Sequence, residues 1–293
     1  MDKYLFDFTN PAFSAASSAH CALNILIGTE GCSLVVFGKN AAIQALKIAH
    51  FPKTGRDFDA VETDIRQIFG SETIFSYPYA EVRCAFSNLN ATLVPRRLFT
   101  PDDLPAYFKL LLRPAEYEYH FDELPEFDCN LVYAIEPVVT RTCLQYFPQA
   151  QMVHLGTALL QNWRLIAPSD DYRVFLNTRN HTAQIAVFDR QNLLFYNAFQ
   201  FEKPADLLYF VLLAYDQFRL SPEITALIVS GTVTNEPETH LQLNRYIRTV
   251  RDARLPIHTP LSEAAEGLPE QVYFDLFCLH PSTPAHQRTS SPI

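Results

Sequence analysis

Residues 172–201, YRVFLNTRNHTAQIAVFDRQNLLFYNAFQF, constrain the fold more than any other stretch. Three strands are predicted, at Tyr172–Asn177, Ala183–Asp189 and Leu193–Phe199, filled with β-branched and aromatic residues. The polar turns TRNHT and RQN separate them, which makes two successive hairpins, and a strongly apolar helix over 204–218 follows. A similar opening lies at Leu23–Gly38, where LNILIGTEG and CSLVVFG read as a hairpin and AAIQALKIAHF as a third strand. With SLVVF (33–37) laid on QIAVF (184–188), the same shift places Leu26 on Asn177 and Gly38 on Asp189. Each half also carries a later strand–helix–strand unit, so the expectation is an α/β chain built twice on one plan.

A chain of 293 residues with 48% hydrophobic content supports two packed lobes. Its net charge of −9 disfavours a nucleic-acid partner, because phosphate-binding surfaces need the opposite balance. The six cysteines are scattered without a CxxC pair or zinc-finger spacing, which reads as buried, reduced thiols in a cytoplasmic protein. MDKYLFDF has acids where a signal peptide needs cations, and no apolar run reaches the ~20 residues that a membrane span takes. Only 8 glycines are present, few for loops that bring bare backbone to a phosphate.

Four segments follow from punctuation and composition: a leader at 1–20, a first lobe at 21–165, a second lobe at 166–280 and a disordered Pro/Ser/Thr-rich tail at 281–293. Within the first lobe, helices are predicted at 59–69, at 101–112 after the Thr100-Pro101 start, and from about Val138 to Tyr146. EITALIVS (223–230) and QVYFDLFCL (271–279) read as strands flanking a helix over 240–250.

Two lobes that each open with a meander resemble the actin-like ATPase (ribonuclease H-like) fold of actin, sugar kinases, large heat-shock chaperones and cytoplasmic pilus-assembly proteins. LLFYNAFQF, PADLLYFVLLAYDQF and LIVSG, in that order, are similar to an uncharacterised bacterial family, domain-of-unknown-function family 3822. That resemblance runs from about residue 20 to 280. The fold implies ATP as the candidate cofactor, with a phosphate at the turn of each first hairpin and adenosine at a strand–Gly-Gly–helix element. In active members the first turn reads apolar–Asp–apolar–Gly–Thr; here it is Ile25-Leu26-Ile27-Gly28-Thr29. Leu26 stands where a carboxylate would organise hydrated Mg²⁺, which an apolar side chain cannot do. The second turn, Asp-x-Gly-x-Gly-Thr-x-Asp in the family, becomes Asn177-Thr178-Arg179-Asn180-His181-Thr182-Ala183-Gln184. The adenosine element Ile228-Val229-Ser230-Gly231-Thr232 keeps one of its two glycines, and the connecting helix near Gly156-Thr157-Ala158 lacks an acid. The implied nucleotide contacts are therefore Gly28, Thr29, Asn177, Arg179, Thr182, Gly231 and Thr232, with Arg179 and His181 as the cations an anion would meet.

Other chemistry has weaker support. Glu136 is the carboxylate nearest a strand end and also a natural helix start. His154 lies in an apolar segment, and Cys32 or Cys84 with a histidine makes no nucleophile elbow. Glu236 and His240 are four apart, but Pro237 suits a helix start. The acidic, aromatic stretch Tyr117–Phe127 has the composition of a binding loop or edge. The preferred reading is a pseudo-ATPase that is not an enzyme: a catalytically degenerate actin-like protein acting as a scaffold or adaptor for a protein partner, binding nucleotide without turnover. The alternatives are a divergent ATP-dependent enzyme, ATPase or kinase-like, and a sensor whose lobes close on a non-nucleotide small molecule.

Overall fold

The computed structural model describes residues 4–51, 58–110, 116–254 and 269–280. The tail expected at 281–293 lies outside them. The described chain divides into two compact units, one from residues 4–155 with 279–280 and one from 156–254 with 269–278.

In the first unit, β1 (Tyr4–Thr9) and the short α1 (Ala15–Ser18) precede the meander β2 (Ala22–Gly28), β3 (Gly31–Phe37) and β4 (Ile43–His50). Helix α2 (Phe58–Ser71) leads to β5 (Glu81–Ser87). A small sheet of β6 (Ala91–Pro95), β7 (Glu118–Leu124) and β8 (Cys129–Ile135) follows, then α3 (Pro137–Tyr146) and β9 (Gln151–His154). The main sheet runs β1-β4-β3-β2-β5-β9, with β5 parallel to both β2 and β9. Leu23, Ile25 and Ile27 alternate inward with Cys84 and Phe86, against Ile65, Ile68 and Phe69 of α2 and Val139 and Cys143 of α3.

In the second unit, α4 (Leu155–Ile166) precedes the meander β10 (Tyr172–Arg179), β11 (Thr182–Asp189) and β12 (Asn192–Gln200). After it come α5 (Pro204–Gln217), β13 (Leu227–Gly231), α6 (Pro237–Tyr246), β14 (Val250–Asp252) and the short α7 (Phe274–Phe277). The sheet order is β12-β11-β10-β13-β14, with β10, β13 and β14 parallel. Strand for strand this repeats β4-β3-β2-β5-β9, so the duplication read from sequence is present in the topology. The ladders agree in register. Leu26 faces Ser33 and Ala85, and Asn177 faces Gln184 and Ser230. Asn180 (φ 53°) and Arg190 (φ 57°) turn the two hairpins of the second meander in the left-handed region, which asparagine tolerates best after glycine. Asp206 accepts hydrogen bonds from the backbone N–H of Glu202 and Lys203 at the start of α5, and Pro204 occupies its first position.

Several expectations need correction. The segment read as a leader contains β1, which pairs with β4, and Asp7 bridges to Lys47 at 2.7 Å. Its alternation was too short to stand out from the polar run that follows. The helix predicted from Pro101 is a 3-10 segment, Pro101–Phe108, kinked at Asp103. Pro105 inside it removes a donor and crowds the preceding turn; positions 111–112 of that helix lie outside the described residues. QVYFDLFCL is not a strand: Phe274–Phe277 forms one turn of helix with every residue buried. The helix predicted to reach Val250 ends at Tyr246, and Val250 begins β14. Helix α4 counts with the second unit, earlier than the boundary expected at 165. Among the described residues no helix is long and apolar enough to cross a membrane.

Strand β10 is covered on both faces. Val174 and Leu176 meet the α5 side, while Phe175 stacks on Trp163 of α4 (ring centroids 5.5 Å) and meets Phe188 edge-on. Phe175→Ala is expected to cost about 3–5 kcal/mol, the usual range for deleting a fully buried aromatic ring. Urea unfolding followed by the fluorescence of Trp163, the chain's one tryptophan, measures it.

Candidate functional site

The two hairpin turns singled out by sequence differ in chemistry. In the first unit Gly28 ends β2 and Thr29 follows it, with the Thr29 side chain exposed. A Cβ on Gly28 would meet nothing nearer than 3.8 Å, whereas one on Gly31 would come within 2.4 Å of the Ala49 carbonyl. Gly31, not Gly28, is therefore the glycine this turn requires. Leu26 is 2% exposed between Ser33 and Ala85.

In the second unit Asn177, Thr178 and Arg179 form the carboxyl end of β10, beside Ser230 and Gly231 at the carboxyl end of β13. Asn177 is fully buried; its Oδ1 accepts from Ser230 Oγ at 2.9 Å, and its Nδ2 has no partner among the described residues. Thr178 Oγ1 lies 3.2 Å from Thr232 Oγ1 and accepts from the Val233 N–H at 2.8 Å. Thr182 is buried in the ladder between Arg179 and Gln200. Gly231 has φ 82°, and a Cβ there would sit 1.9 Å from the Thr178 carbonyl oxygen, so no other residue fits. Its N–H donates to the Gln271 carbonyl at 2.7 Å.

Sequence reasoning missed the group that dominates this end of the sheet. Asp275, wholly buried, forms a two-bond fork with Arg179: Nε donates to Oδ2 at 2.7 Å, and Nη2 donates to Oδ1. The same guanidinium reaches the Val272 carbonyl at 3.4 Å, and Asp275 Oδ1 also accepts from the Leu276 N–H. An acid inside the apolar run YFDLFCL was the available signal.

The remaining candidates resolve individually. Glu136 caps α3 ahead of Pro137, and burial pushes its carboxyl above the ordinary carboxylate range. Glu236 stands at the start of α6 and accepts from Thr239 Oγ1, while His240 Nδ1 lies 2.9 Å from Asn244 Nδ2. No group of three or more metal-ligating side chains forms among the described residues. All six cysteines are free and buried. A hydrogen bond with Cys143, together with burial, holds the Cys84 thiol well above its usual range, and burial does the same for Cys32. Thiols held protonated in this way are poor nucleophiles. The stretch Tyr117–Phe127 is mostly β7, an edge strand of the small sheet. From it Asp122, 2% exposed, accepts from the His154 backbone N–H at 2.8 Å and from Tyr133 Oη at 3.2 Å.

The DUF3822 family, described as a protein of unknown function, matches residues 10–250. The chain belongs to this family. Among solved structures it is similar to a protein from Bacteroides thetaiotaomicron VPI-5482 with an actin-like ATPase fold and unknown function. They share 17% identity and a TM-score of 0.72, over 82% of this chain and 93% of that one. It is also similar to the type IV pilus biogenesis complex PilM-PilN, at 17% identity and a TM-score of 0.56, over 87% of this chain and 96% of that one. No curated relative matches the sequence. At such identity the likeness establishes the actin-like ATPase fold for this member of DUF3822.

One buried histidine near the small sheet gives a pH-dependent signature. Burial lowers the His154 pKa from 6.5 to about 4, partly opposed by a hydrogen bond with the Asn88 backbone. Between those two values the unfolded chain binds a proton that the folded one does not, so stability rises with pH across the window and is lost as pH falls through it. The full effect is about 3 kcal/mol. Denaturant midpoints measured from pH 7 to pH 4 should show this loss, and His154→Phe should flatten it.

Proposed function

We propose that this chain is a cytoplasmic, non-catalytic actin-like protein that works as a scaffold or adaptor for a protein partner. The observation that carries the reading is the pair of equivalent ladder positions at the ends of the two first strands. Where active members place acids, this chain places Leu26 and Asn177. A buried leucine cannot hold a hydrated magnesium ion, and an amide already bonded to Ser230 supplies no negative charge to it. Phosphoryl transfer depends on charge neutralisation and positioning, and both weaken without the metal. The residues present therefore do not fit Mg-ATP turnover.

In the second unit, Asn177, Arg179, Thr182, Gly231 and Thr232 remain the residues that a bound nucleotide would meet. Two of their best donors are already engaged, the Arg179 guanidinium with Asp275 and the Gly231 N–H with Gln271. The expected result is no phosphate release from Mg-ATP and no rise in the thermal transition at millimolar nucleotide. A ligand at a hundredfold excess over its dissociation constant would add roughly 2.7 kcal/mol, several degrees for a domain of this size. Phosphate release that is lost in Asn177→Ala would overturn the reading.

Partner binding has its own support. Helix α5 is apolar around most of its circumference, yet Tyr209 is 61% and Leu213 42% exposed, one turn apart on its outer face. PilM, a protein of the same fold, occurs in a complex with PilN. Paired substitution Tyr209→Ser with Leu213→Ser should leave the thermal transition nearly unchanged and abolish co-purification of a stoichiometric partner from native lysate. Capture that survives the double substitution would remove α5 as the contact.

A further inference from the structure

The carboxyl ends of β10 and β13 form a particular kind of place. From β10 the chain continues to β11 on one side, and from β13 to β14 on the other, so the strand order reverses between these two parallel neighbours. In open α/β sheets the crevice at such a switch point is where ligands bind. Here it presents the Arg179 guanidinium at one strand end and the backbone N–H of Gly231 at the other. Both are used by a single segment. The Gln271 carbonyl takes the Gly231 N–H, the Val272 carbonyl and the Asp275 carboxylate take Arg179, and Asp275 itself is fully buried.

We propose that residues 271–275 are a built-in ligand of this crevice, with the Asp275 carboxylate holding the place of an external anion on Arg179. The inference rests on the non-catalytic reading above and extends it: the anion position at the end of β10 is occupied by the chain itself. A buried guanidinium needs a counter-anion wherever it sits, because an unpaired charge at this depth is strongly unfavourable. The planar fork of arginine suits a carboxylate and a phosphate equally, so the class of ligand that the site accepts once vacated is a small oxyanion. Only the carboxylate is tethered. A free anion must compete with it at an effective concentration set by a short, well-packed segment.

Asp275→Ala in the full chain opens the position. Its thermal transition, read by Trp163 fluorescence, should lie well below that of the parent. It should rise by several degrees with inorganic phosphate at a hundredfold excess over the dissociation constant, but not with sodium chloride of equal ionic strength. The parent and the Arg179→Met/Asp275→Leu double variant, which has no charge left to satisfy, should show no phosphate-specific response. If Asp275→Ala does not fold in plain buffer, recovery of folded protein on adding phosphate is the readout. If it stays unfolded there too, the isosteric Asp275→Asn decides by the same titration. A folded single variant as indifferent to phosphate as the parent overturns the inference, whereas a response of the parent to Mg-ATP overturns the reading beneath it.

Discussion

Strand β10 is buried on both faces, and the second unit is arranged to make that possible. Its first half is straightforward: Val174 and Leu176 meet one layer, Phe175 the other, and apolar burial drives the packing. Its second half is polar at the same depth. Asn177, Thr178 and Arg179 are each 9% exposed or less, so each polar group there needs a partner inside the protein. Asn177 has Ser230, Thr178 has Thr232 and the Val233 N–H, and Arg179 has Asp275. Three of these partners lie at or just beyond the end of β13, which is why Gly231 must pass so close to the Thr178 carbonyl. The site residues read from sequence in this unit are thus mostly engaged with neighbouring groups at the end of a doubly covered strand, with Asn177 Nδ2 the exception.

The strands were legible because burial on the pleat leaves a period of two or a short apolar run, and turn residues mark the ends. The repeated plan was legible for the same reason, since SLVVF and QIAVF occupy equivalent strands, β3 and β11. What failed were elements whose structure is set by distant partners. YFDLFCL alternates well enough to suggest a strand, yet all of its positions are buried, and its acid faces an arginine 96 residues earlier. Nothing local encodes that pairing. The segment after Thr100 has a good helix start, but Pro105 prevents a regular α-helix from forming behind it. The leader reading failed on β1, because an edge strand with one partner, half exposed, has a weak apolar signature.

At the candidate site, residue identity was legible: Leu26 and Asn177 are not acids in any fold. What the residues do instead was not. Arg179 read as a cation open to an anion, because a hairpin turn is ordinarily solvated. The structure buries it, since β10 and β11 pair without a break as far as Arg179 and Thr182. The ladder carries the arginine inward with it.

A buried bidentate ion pair is weak evidence for stability, because well-packed apolar residues of similar volume often do as well. The pair between Arg179 and Asp275 is better understood through position. One turn of helix, Phe274–Phe277, cannot hold itself together in isolation, since nucleation fixes several residues for one hydrogen bond. Burial of Phe274, Leu276 and Phe277 supplies the energy but little directional information, whereas the planar fork of the guanidinium accepts a carboxylate in one orientation. The Gln271 carbonyl on Gly231 fixes the segment a second time, four residues earlier. Two directional contacts at that spacing determine both the place and the register of the segment. The end of β10 is then electrically complete without an external ligand, in contrast to a site that waits for an anion to neutralise it.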